Sequence, residues 1–277
     1  MSKKHREAVR KQFTKTAEAF SKFAVRDTPE VVAEKVEFAR PRPTDLVLDV
    51  ACGAGAFVLA LAPRVRFAHG IDLTYEMLHQ ARQFQRARQI SNVSFEAGEA
   101  EQLPYPDAAF DLVTCQCSLH HIPKPQVALK EMLRVMKPES RLLIIDTLAP
   151  ESDAKFELHN RIESVRDPSH TLSLRLTTFL EMFEAHGLEI VRQTLRRRQR
   201  FFNHWMRRAG LEPKHKRHQE VRKLMEDSIP GDRAGFSAQV QGDDILIVHN
   251  EGMFLLARPL VSGRSQVVGG EQTKKQT

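Results

Sequence analysis

The 277-residue sequence is poor in cysteine, and the few cysteines it has exclude two kinds of protein. The three that occur, Cys52, Cys115 and Cys117, are an odd number with uneven spacing, so they do not form a disulfide framework. No Cys-x-x-Cys or His-x-x-x-His spacing occurs either, and we therefore expect no metal site. We predict that all three cysteines are reduced thiols.

Long apolar runs and a leader segment are also missing. A membrane helix needs about 18 nearly uninterrupted apolar residues, whereas the longest candidate, residues 50–62, is 13 residues long and rich in Ala and Gly. Residues 1–6 are charged and no apolar segment follows them, which predicts neither a secretory signal nor an anchor. We therefore expect a cytoplasmic protein without a membrane span.

Positive charge is present in excess and is concentrated in one segment. The chain has 42 Lys and Arg against 35 Asp and Glu, a formal charge of +7. Residues 192–223, called the basic stripe below, hold twelve Lys or Arg against Glu212 and Glu220, a local charge of +10. Such a stripe can bind phosphate backbones, although charged runs are more often solvated surfaces.

Short apolar runs alternate with helical patterns along most of the chain. Two helices are predicted within residues 6–40, and strands then alternate with helices from residue 46 to residue 193. This alternation predicts an α/β fold, a doubly wound and mostly parallel sheet with helices on both faces. Residues 245–248 and 253–257 are predicted to be two closing strands joined by a turn at residues 250–252.

The same pattern divides the chain into a cap, a main domain and a tail. Residues 1–44 are expected to form an N-terminal helical cap, and residues 45–260 the main domain. Two segments that interrupt the alternation, residues 150–173 and 200–243, are predicted to be helical lid insertions, because ligands bind at the carboxyl ends of strands. Residues 261–277 have too little apolar surface to pack and are expected to be disordered.

A glycine turn follows the first predicted strand. Residues 49–55 read Asp-Val-Ala-Cys-Gly-Ala-Gly, which places small residues where the backbone can approach a ligand. The third glycine of a dinucleotide fingerprint is absent, since Val58 occupies that position. Asp72 ends the next strand and is suited to bind a ribose diol, although it could equally act at the start of the following helix.

Five motifs stand in an order and spacing that is similar to a known family. They occupy residues 48–55, 70–73, 98–105, 110–121 and 134–138. The chain resembles the class I S-adenosylmethionine-dependent methyltransferases, most of all the branch of ubiquinone and menaquinone biosynthesis C-methyltransferases and their small-molecule relatives. The resemblance implies a Rossmann-like sheet of seven strands, the last one antiparallel, and S-adenosyl-L-methionine as the cofactor.

The resemblance also implies which residues surround the methionine part of the cofactor. Gly53 and Gly55 would let the chain pass beneath it, and Asp49 would lie near its amino group. Cys115 and Gln116, just past the fourth strand, would line the same end.

A second group of residues is implied for the nucleoside part. Asp72 would hold the ribose hydroxyls, with Leu73 against the adenine. Glu99 stands where the family usually has Asp and, with Ala100, would meet the adenine edge. Ala51, assigned to the same site, replaces the frequent first glycine of the turn.

Histidines supply the candidates for a catalytic base. Methyl transfer is an in-line displacement, so a base is needed only if the acceptor loses a proton. His120, His121 and His170 are the candidates, and we favour His170 and His121, while each could instead cap or pack. Trp205 could stack on an aromatic acceptor or belong to the lid core.

Three functions remain compatible with these residues. The first is a methyltransferase for a small molecule, with an aromatic quinol-like compound as the candidate acceptor. The second is an RNA methyltransferase that uses the basic stripe, and the third is a protein that binds the cofactor without turnover. We expect the first, because residues 115–118 are not the Asn-Pro-Pro-Tyr type of motif that amine-methylating nucleic-acid enzymes carry. The methylated atom and the oligomeric state, including a homodimer, stay open.

Overall fold

The computed structural model describes residues 1–22 and 28–258, and in the first helix the side chains as far as Ala17. The predicted tail at residues 261–277 lies outside the described residues. The helices are α1 Lys3–Lys22, α2 Pro29–Ala39, α3 Ala56–Leu61, α4 Tyr75–Ala87, α5 Pro125–Val135, α6 Asp153–Arg166, α7 Leu176–Ala185, α8 Phe202–Arg208 and α9 Lys216–Ser228. The strands are β1 Leu46–Val50, β2 Phe67–Asp72, β3 Val93–Ala97, β4 Phe110–Gln116, β5 Met136–Leu148, β6 Glu189–Phe201, β7 Gln239–Gln241 and β8 Asp244–Ala257.

The strands form one mostly parallel sheet, as the sequence predicts. Its order is β3-β2-β1-β4-β5-β8-β6, with β7 paired to β8. The first five strands are parallel, and β8 runs antiparallel to both β5 and β6. The short β7 adds an eighth strand to the seven expected. The fold is therefore the predicted doubly wound α/β sheet with an antiparallel last strand.

The central strands are buried on both faces because helices cover both sides of the sheet. In β1, Leu48 and Val50 pack with α5 and α7, whereas Val47 packs on the other face with α3 and α4. Alternation of side chains along a strand sends neighbours to opposite faces, so an almost wholly apolar strand is what a two-sided core requires. A third cluster, around Trp205 and Phe236, joins α8 and α9 to β8.

The predicted hairpin near the end of the chain is wrong, because residues 244–257 form one continuous strand. Asn250 pairs with Leu148 of β5 on one side and with Arg197 of β6 on the other. Gly252, predicted to lie in a turn, is in the strand, where an added Cβ would lie 2.6 Å from a ring carbon of Phe254. The glycine therefore serves close packing within the sheet and not a change of direction.

The basic stripe is not one surface, because β6 continues to Phe201, beyond the predicted end at residue 193, and alternates its side chains between two faces. Arg196 forms an ion pair with Glu34 of α2, and Arg198 with Glu251 of β8. The basic residues of the stripe that follow β6 are divided between α8, α9 and the loop that joins these helices. The predicted lid segments contain α6 in the first case and α8, α9 and β7 in the second. No helix among the described residues is long and apolar enough to cross a membrane.

A buried ion pair joins the start of the sheet to its middle. Arg141 in β5 donates from Nη2 to Oδ2 of Asp45, at 2.6 Å, and both side chains are almost fully buried. Arg141 also donates to the carbonyl oxygen of Arg40, and Asp45 accepts from the backbone N–H of Arg42 at 2.7 Å. The pair therefore connects the loop between α2 and β1 to β5.

We predict that Asp45→Ala destabilises the protein by about 3 to 5 kcal/mol, because it leaves the guanidinium of Arg141 buried without its counter-charge. Asp107 is the control, since its side chain pairs with Arg134 but is 78 % exposed, and its removal should cost less than about 1 kcal/mol. Urea unfolding of the two alanine variants measures the difference. Equal stabilities would show that the buried pair does not hold this part of the fold.

Candidate active site

A cavity of about 280 Å³ lies where the winding of the sheet changes direction. The chain builds β1, β2 and β3 towards one edge and then β4 and β5 towards the other, so the reversal falls between β1 and β4. Ligands in open α/β sheets bind at such reversals, outside the carboxyl ends of the strands. The residues that follow β1, β2 and β4 line this cavity, as do residues of α1, α6, α8 and β8.

The turn after β1 forms the floor of the cavity and needs unusual backbone angles. Gly53 has φ +55°, and a Cβ added there would meet nothing within 4 Å, so its outer side borders open space. Ala51 also has a positive φ, +56°, a conformation that is unfavourable for a residue with a Cβ. Both residues line the cavity. Gly55 does not line the cavity. A Cβ added there would lie 2.7 Å from a ring carbon of Phe95, so this glycine permits close packing.

Asp72 at the end of β2 holds this turn in place. Its Oδ2 accepts from the backbone N–H of Gly53 and its Oδ1 from that of Thr74, both at 2.8 Å. A carboxylate can accept about four hydrogen bonds, so two backbone bonds leave capacity for a ligand. Leu73 lines the same part of the cavity, and the Thr74 hydroxyl is buried without a partner among the described residues.

Asp49 is a second carboxylate at this end, and it is only 3 % exposed. Burial raises its pKa to about 7, the negative charge of Asp72 adds to this, and a hydrogen bond from Thr114 opposes it. The Oγ1 of Thr114 lies 2.5 Å from Oδ1 of Asp49. A cationic ligand group would remove the cost of ionising this buried carboxyl.

The end of β4 supplies the neighbouring wall. Gln116 lines the cavity, and its Nε2 is buried without a hydrogen-bond partner in the described part of the chain. Cys115 does not line the cavity, since it points into the core with Leu48 and Val50. Cys117 does line it and has φ +50°, a second strained residue at the end of a central strand.

Helix α1 closes the cavity from above. Arg6 donates from Nη2 to Oε2 of Glu99 at 3.0 Å and places its Nε 2.8 Å from Oε1. Val9 and Phe13 of the same helix line the cavity, as do Glu99 and Ala100. The N-terminal cap is therefore part of the site.

His120 is paired with a carboxylate at the cavity. Its Nδ1 lies 2.5 Å from Oδ1 of Asp146, and its backbone N–H donates to Oδ2 at 3.3 Å. Asp146 sits near the carboxyl end of β5 with its side chain 2 % exposed, so the pair is held in one orientation. An imidazole hydrogen-bonded to a carboxylate can take up a proton, because the carboxylate stabilises the imidazolium.

The other two histidines are neutral and hydrogen-bonded. His121 lines the cavity with its Nδ1 3.1 Å from the carbonyl oxygen of Ser169. Burial, together with the neighbouring imidazole of His120, lowers the pKa of His121 to about 4. His170 is not among the cavity-lining residues, its Nε2 lies 3.0 Å from Oδ1 of Asn160, and burial lowers its pKa to about 3.

The structure thus gathers most of the predicted residues and adds others. Asp49, Ala51, Gly53, Asp72, Leu73, Glu99, Ala100, Gln116 and His121 line the cavity, whereas Gly55, Cys115 and His170 do not. The sequence reasoning missed Thr114, Asp146 and His249. The available signal for Asp146 and His249 was a charged or polar residue inside an otherwise apolar strand.

The polar groups at the cavity fit S-adenosylmethionine, the cofactor that the resemblance implies. Asp49 offers a carboxylate to an ammonium group, and the unpartnered amide of Gln116 offers a donor to a carboxylate. Asp72 retains acceptor capacity for a ribose diol. The open side of Gly53 leaves room for a ligand against the backbone.

The comparisons with known proteins agree with this geometry. A family model described as a methyltransferase domain matches residues 42–200. The chain is 36 % identical over 176 residues to the uncharacterized methyltransferase YcgJ of Bacillus subtilis, covering 64 % of this chain and 70 % of that protein. The crystal structure of YcgJ has a TM-score of 0.75 at 28 % identity, covering 84 % of this chain and 100 % of that one.

A named activity appears among more partial matches. The demethylmenaquinone methyltransferase of Deinococcus radiodurans is 43 % identical over 109 residues. That match covers 38 % of this chain and 44 % of the relative, so the chain spans less than half of that enzyme's length.

We predict that Asp49→Asn stabilises the ligand-free protein increasingly as pH rises. A carboxyl whose pKa is raised on folding contributes stability below its unfolded pKa and loses it as pH rises through the folded value, here about 7. Between pH 5 and 8 the free energy of unfolding of the variant should gain about 2.5 kcal/mol relative to the parent protein. Asp107→Asn, at an exposed position, is the control, and parallel pH profiles for all three proteins would contradict the assignment.

Proposed function

This chain belongs to the methyltransferase domain family, and from that premise we propose that it methylates a hydroxyl-bearing small molecule with a quinol-like reacting part, His120 receiving the acceptor's proton. The chain is an S-adenosylmethionine-dependent methyltransferase, and the acceptor and the base are the proposal. The observation that carries it is the His120–Asp146 pair at the cavity. Methylation of an oxygen or of a ring carbon activated by that oxygen both fit.

The cofactor supplies an electrophilic methyl group on a positively charged sulfur. Asp49, Asp72 and Gln116 would hold its polar groups, and Glu99 and Ala100 would stand at the adenine edge. The side chains of α1 line this end of the cavity and would exclude water from it once the cofactor is bound. Exclusion of water strengthens the electrostatic contacts within the cavity.

His120 is a better proton acceptor than the two histidines that the sequence favours. A general base works best when its pKa is close to the working pH, and the pKa values of His121 and His170 are lowered to about 4 and 3. His120 differs from both in that its Nδ1 lies 2.5 Å from Oδ1 of Asp146, the contact by which a carboxylate orients a catalytic imidazole. We therefore assign the base to His120 and the orientation of its ring to Asp146.

The relatives support a small acceptor. Demethylmenaquinone methyltransferases recur among them, and we carry over from their name only that the acceptor is a small molecule with a quinol-like reacting part. For the RNA alternative, two arginines of the basic stripe, Arg196 and Arg198, are already in ion pairs within the protein. No feature of the described surface favours that alternative over the small acceptor.

We predict that Asp72→Ala weakens binding of S-adenosylhomocysteine by about 1.5 to 3 kcal/mol, the range for hydrogen bonds to a charged group. Calorimetric titration measures the affinity, and thermal unfolding identifies any loss of folded protein. Asp72→Asn, which keeps one acceptor oxygen, should lose less. Glu96→Ala is the matched control, a carboxylate in β3 that does not line the cavity. Unchanged affinity in folded Asp72→Ala would remove the ribose assignment.

We predict that His120→Gln lowers methyl transfer by about 100-fold or more, the usual contribution of a general base, without weakening S-adenosylhomocysteine binding. The assay follows radiolabelled methyl from the cofactor into the small-molecule fraction of an extract of the source cells. Asp146→Asn should lower the rate by a smaller factor, because the imidazole remains.

His121→Gln is the control for the neighbouring ring and should retain most of the activity. An active His120→Gln with an inactive His121→Gln would transfer the role to His121. Radiolabel that enters only the RNA of the extract would favour an RNA methyltransferase instead.

A further inference from the structure

Three arginines from three different elements line the cavity wall formed by α6, β6, α8 and β8. They are Arg166 at the end of α6, Arg200 near the end of β6 and Arg208 at the end of α8, together called the cationic wall. Neither the cofactor site nor the His120–Asp146 pair uses them. Their convergence on one wall therefore needs a separate explanation.

Arg166 is fixed in position. Its Nη2 donates to the carbonyl oxygen of Trp205 at 3.1 Å, and its guanidinium lies 4.4 Å from the centre of the indole ring. Its Nη1 is 3.4 Å from Oε2 of Glu163, whose Oε1 is 3.3 Å from Nε2 of His249. A planar guanidinium held in this way has lost most of its side-chain freedom before any ligand arrives.

Sheet alternation explains why Arg200 reaches the cavity. In β6, Arg196, Arg198 and Arg200 point to the same face, because they are two residues apart. Arg196 and Arg198 form ion pairs with Glu34 and Glu251, and Arg200, two residues further along the same face, lines the cavity.

His249 marks the same wall as polar. Its side chain is 3 % exposed and lines the cavity, and its Nδ1 has no hydrogen-bond partner among the residues that the structure describes. Burial, with the charge of Arg200 contributing, lowers its pKa to about 3. A buried polar nitrogen without a partner is unfavourable unless a ligand meets it.

The acidic side chains on this wall already have partners. Glu163 faces Arg166 and His249, and Oδ1 of Asp167 accepts from the backbone N–H and the hydroxyl of Ser169. Among the described residues that line this wall there are three arginines and two carboxylates, whereas the carboxylates Asp49, Asp72 and Glu99 line the cofactor end. The two ends of the cavity differ in electrostatic character.

We propose that the methyl acceptor carries an acidic group, a carboxylate or a phosphate, that binds against Arg166, Arg200 and Arg208 while its hydroxyl faces His120. This inference rests on the proposed function and adds the class of substrate. Arginine binds planar carboxylate and phosphate oxygens with two parallel hydrogen bonds, which gives both affinity and orientation. A long apolar tail on this wall would lie against the three guanidinium groups, which is unfavourable.

Binding of phenol probes in the presence of S-adenosylhomocysteine tests the proposal by calorimetry. The probes are 4-hydroxybenzoate, 4-hydroxyphenyl phosphate, the neutral methyl 4-hydroxybenzoate and the apolar 4-hexylphenol. We expect at least one of the two acids to bind about tenfold or more tightly than either neutral probe. Whichever of the two acids binds more tightly then identifies the acidic group as a carboxylate or a phosphate. Neutral probes that bind as well as the acids, or no binding by any probe, would overturn the inference.

Variants of the wall identify where the acid binds. Arg200→Gln and Arg208→Gln should each remove most of the preference for the acid and leave S-adenosylhomocysteine affinity unchanged. Arg197→Gln and Arg207→Gln are the matched controls, because each is an exposed arginine on the same element as a wall arginine, β6 and α8 respectively, and neither lines the cavity. A preference that survives in both wall variants would overturn the assignment to this wall.

A fractionated extract separates failure of this inference from failure of the proposed function. The small-molecule extract is passed over an anion exchanger before the methyl-transfer assay, and we expect the acceptor in the retained fraction. Acceptor activity in the unretained or lipid fraction would overturn the acidic group while upholding methyl transfer. An extract without acceptor activity in any fraction would count against the proposed function, and the probe binding then decides the cationic wall by itself.

Discussion

The carboxylate of Asp72 ties together the two turns from which the floor of the cavity is built. One oxygen accepts from the turn after β1, at Gly53, and the other from the start of α4, at Thr74. Because β1 and β2 are parallel neighbours, their carboxyl ends lie side by side, and one short side chain can reach both turns. The hydrogen bond from Gly53 thus fixes the turn after β1 against the end of β2.

The carboxylates of Asp72 and Asp49 lie close together in a poorly solvated part of the cavity. The pKa of Asp49 is raised because burial and the nearby Asp72 both disfavour its ionised form. A cationic ligand group beside Asp49 would remove that cost. The ionised carboxylate is therefore unfavourable in the empty cavity and favourable when the cofactor is bound. At the opposite wall the sign is inverted, and the arginines of α6, β6 and α8 converge there. His120, which is paired with Asp146, also lines this cavity and is the group that we propose accepts a proton.

Local patterns in the sequence were sufficient for most of the elements of the fold. The apolar runs at β1, β2, β4 and β5 predict buried parallel strands, since helices cover both faces of the sheet. The same patterns failed for β8, where Asn250 and Gly252 read as a turn but lie in a strand. They also failed for the second half of β6, whose arginines gave no apolar alternation. In both cases pairing to neighbouring strands outweighed local preference, and such pairing cannot be detected in one segment alone.

At the site, the sequence predicts contacts between residues that are near each other in the chain, whereas contacts between distant residues appear only in the tertiary structure. Asp49, Gly53 and Asp72 belong to consecutive elements, so the sequence by itself predicted that these three residues lie together at one cavity. The tertiary structure alone decided that His120 meets Asp146 and that Glu163 meets His249, because these pairs join strands and helices that are far apart in the chain. It also decided that Arg200 reaches the cavity while Arg198 meets Glu251. The physical reason is that strand order and register determine which side chains meet across a sheet, and neither is a property of one segment of the chain.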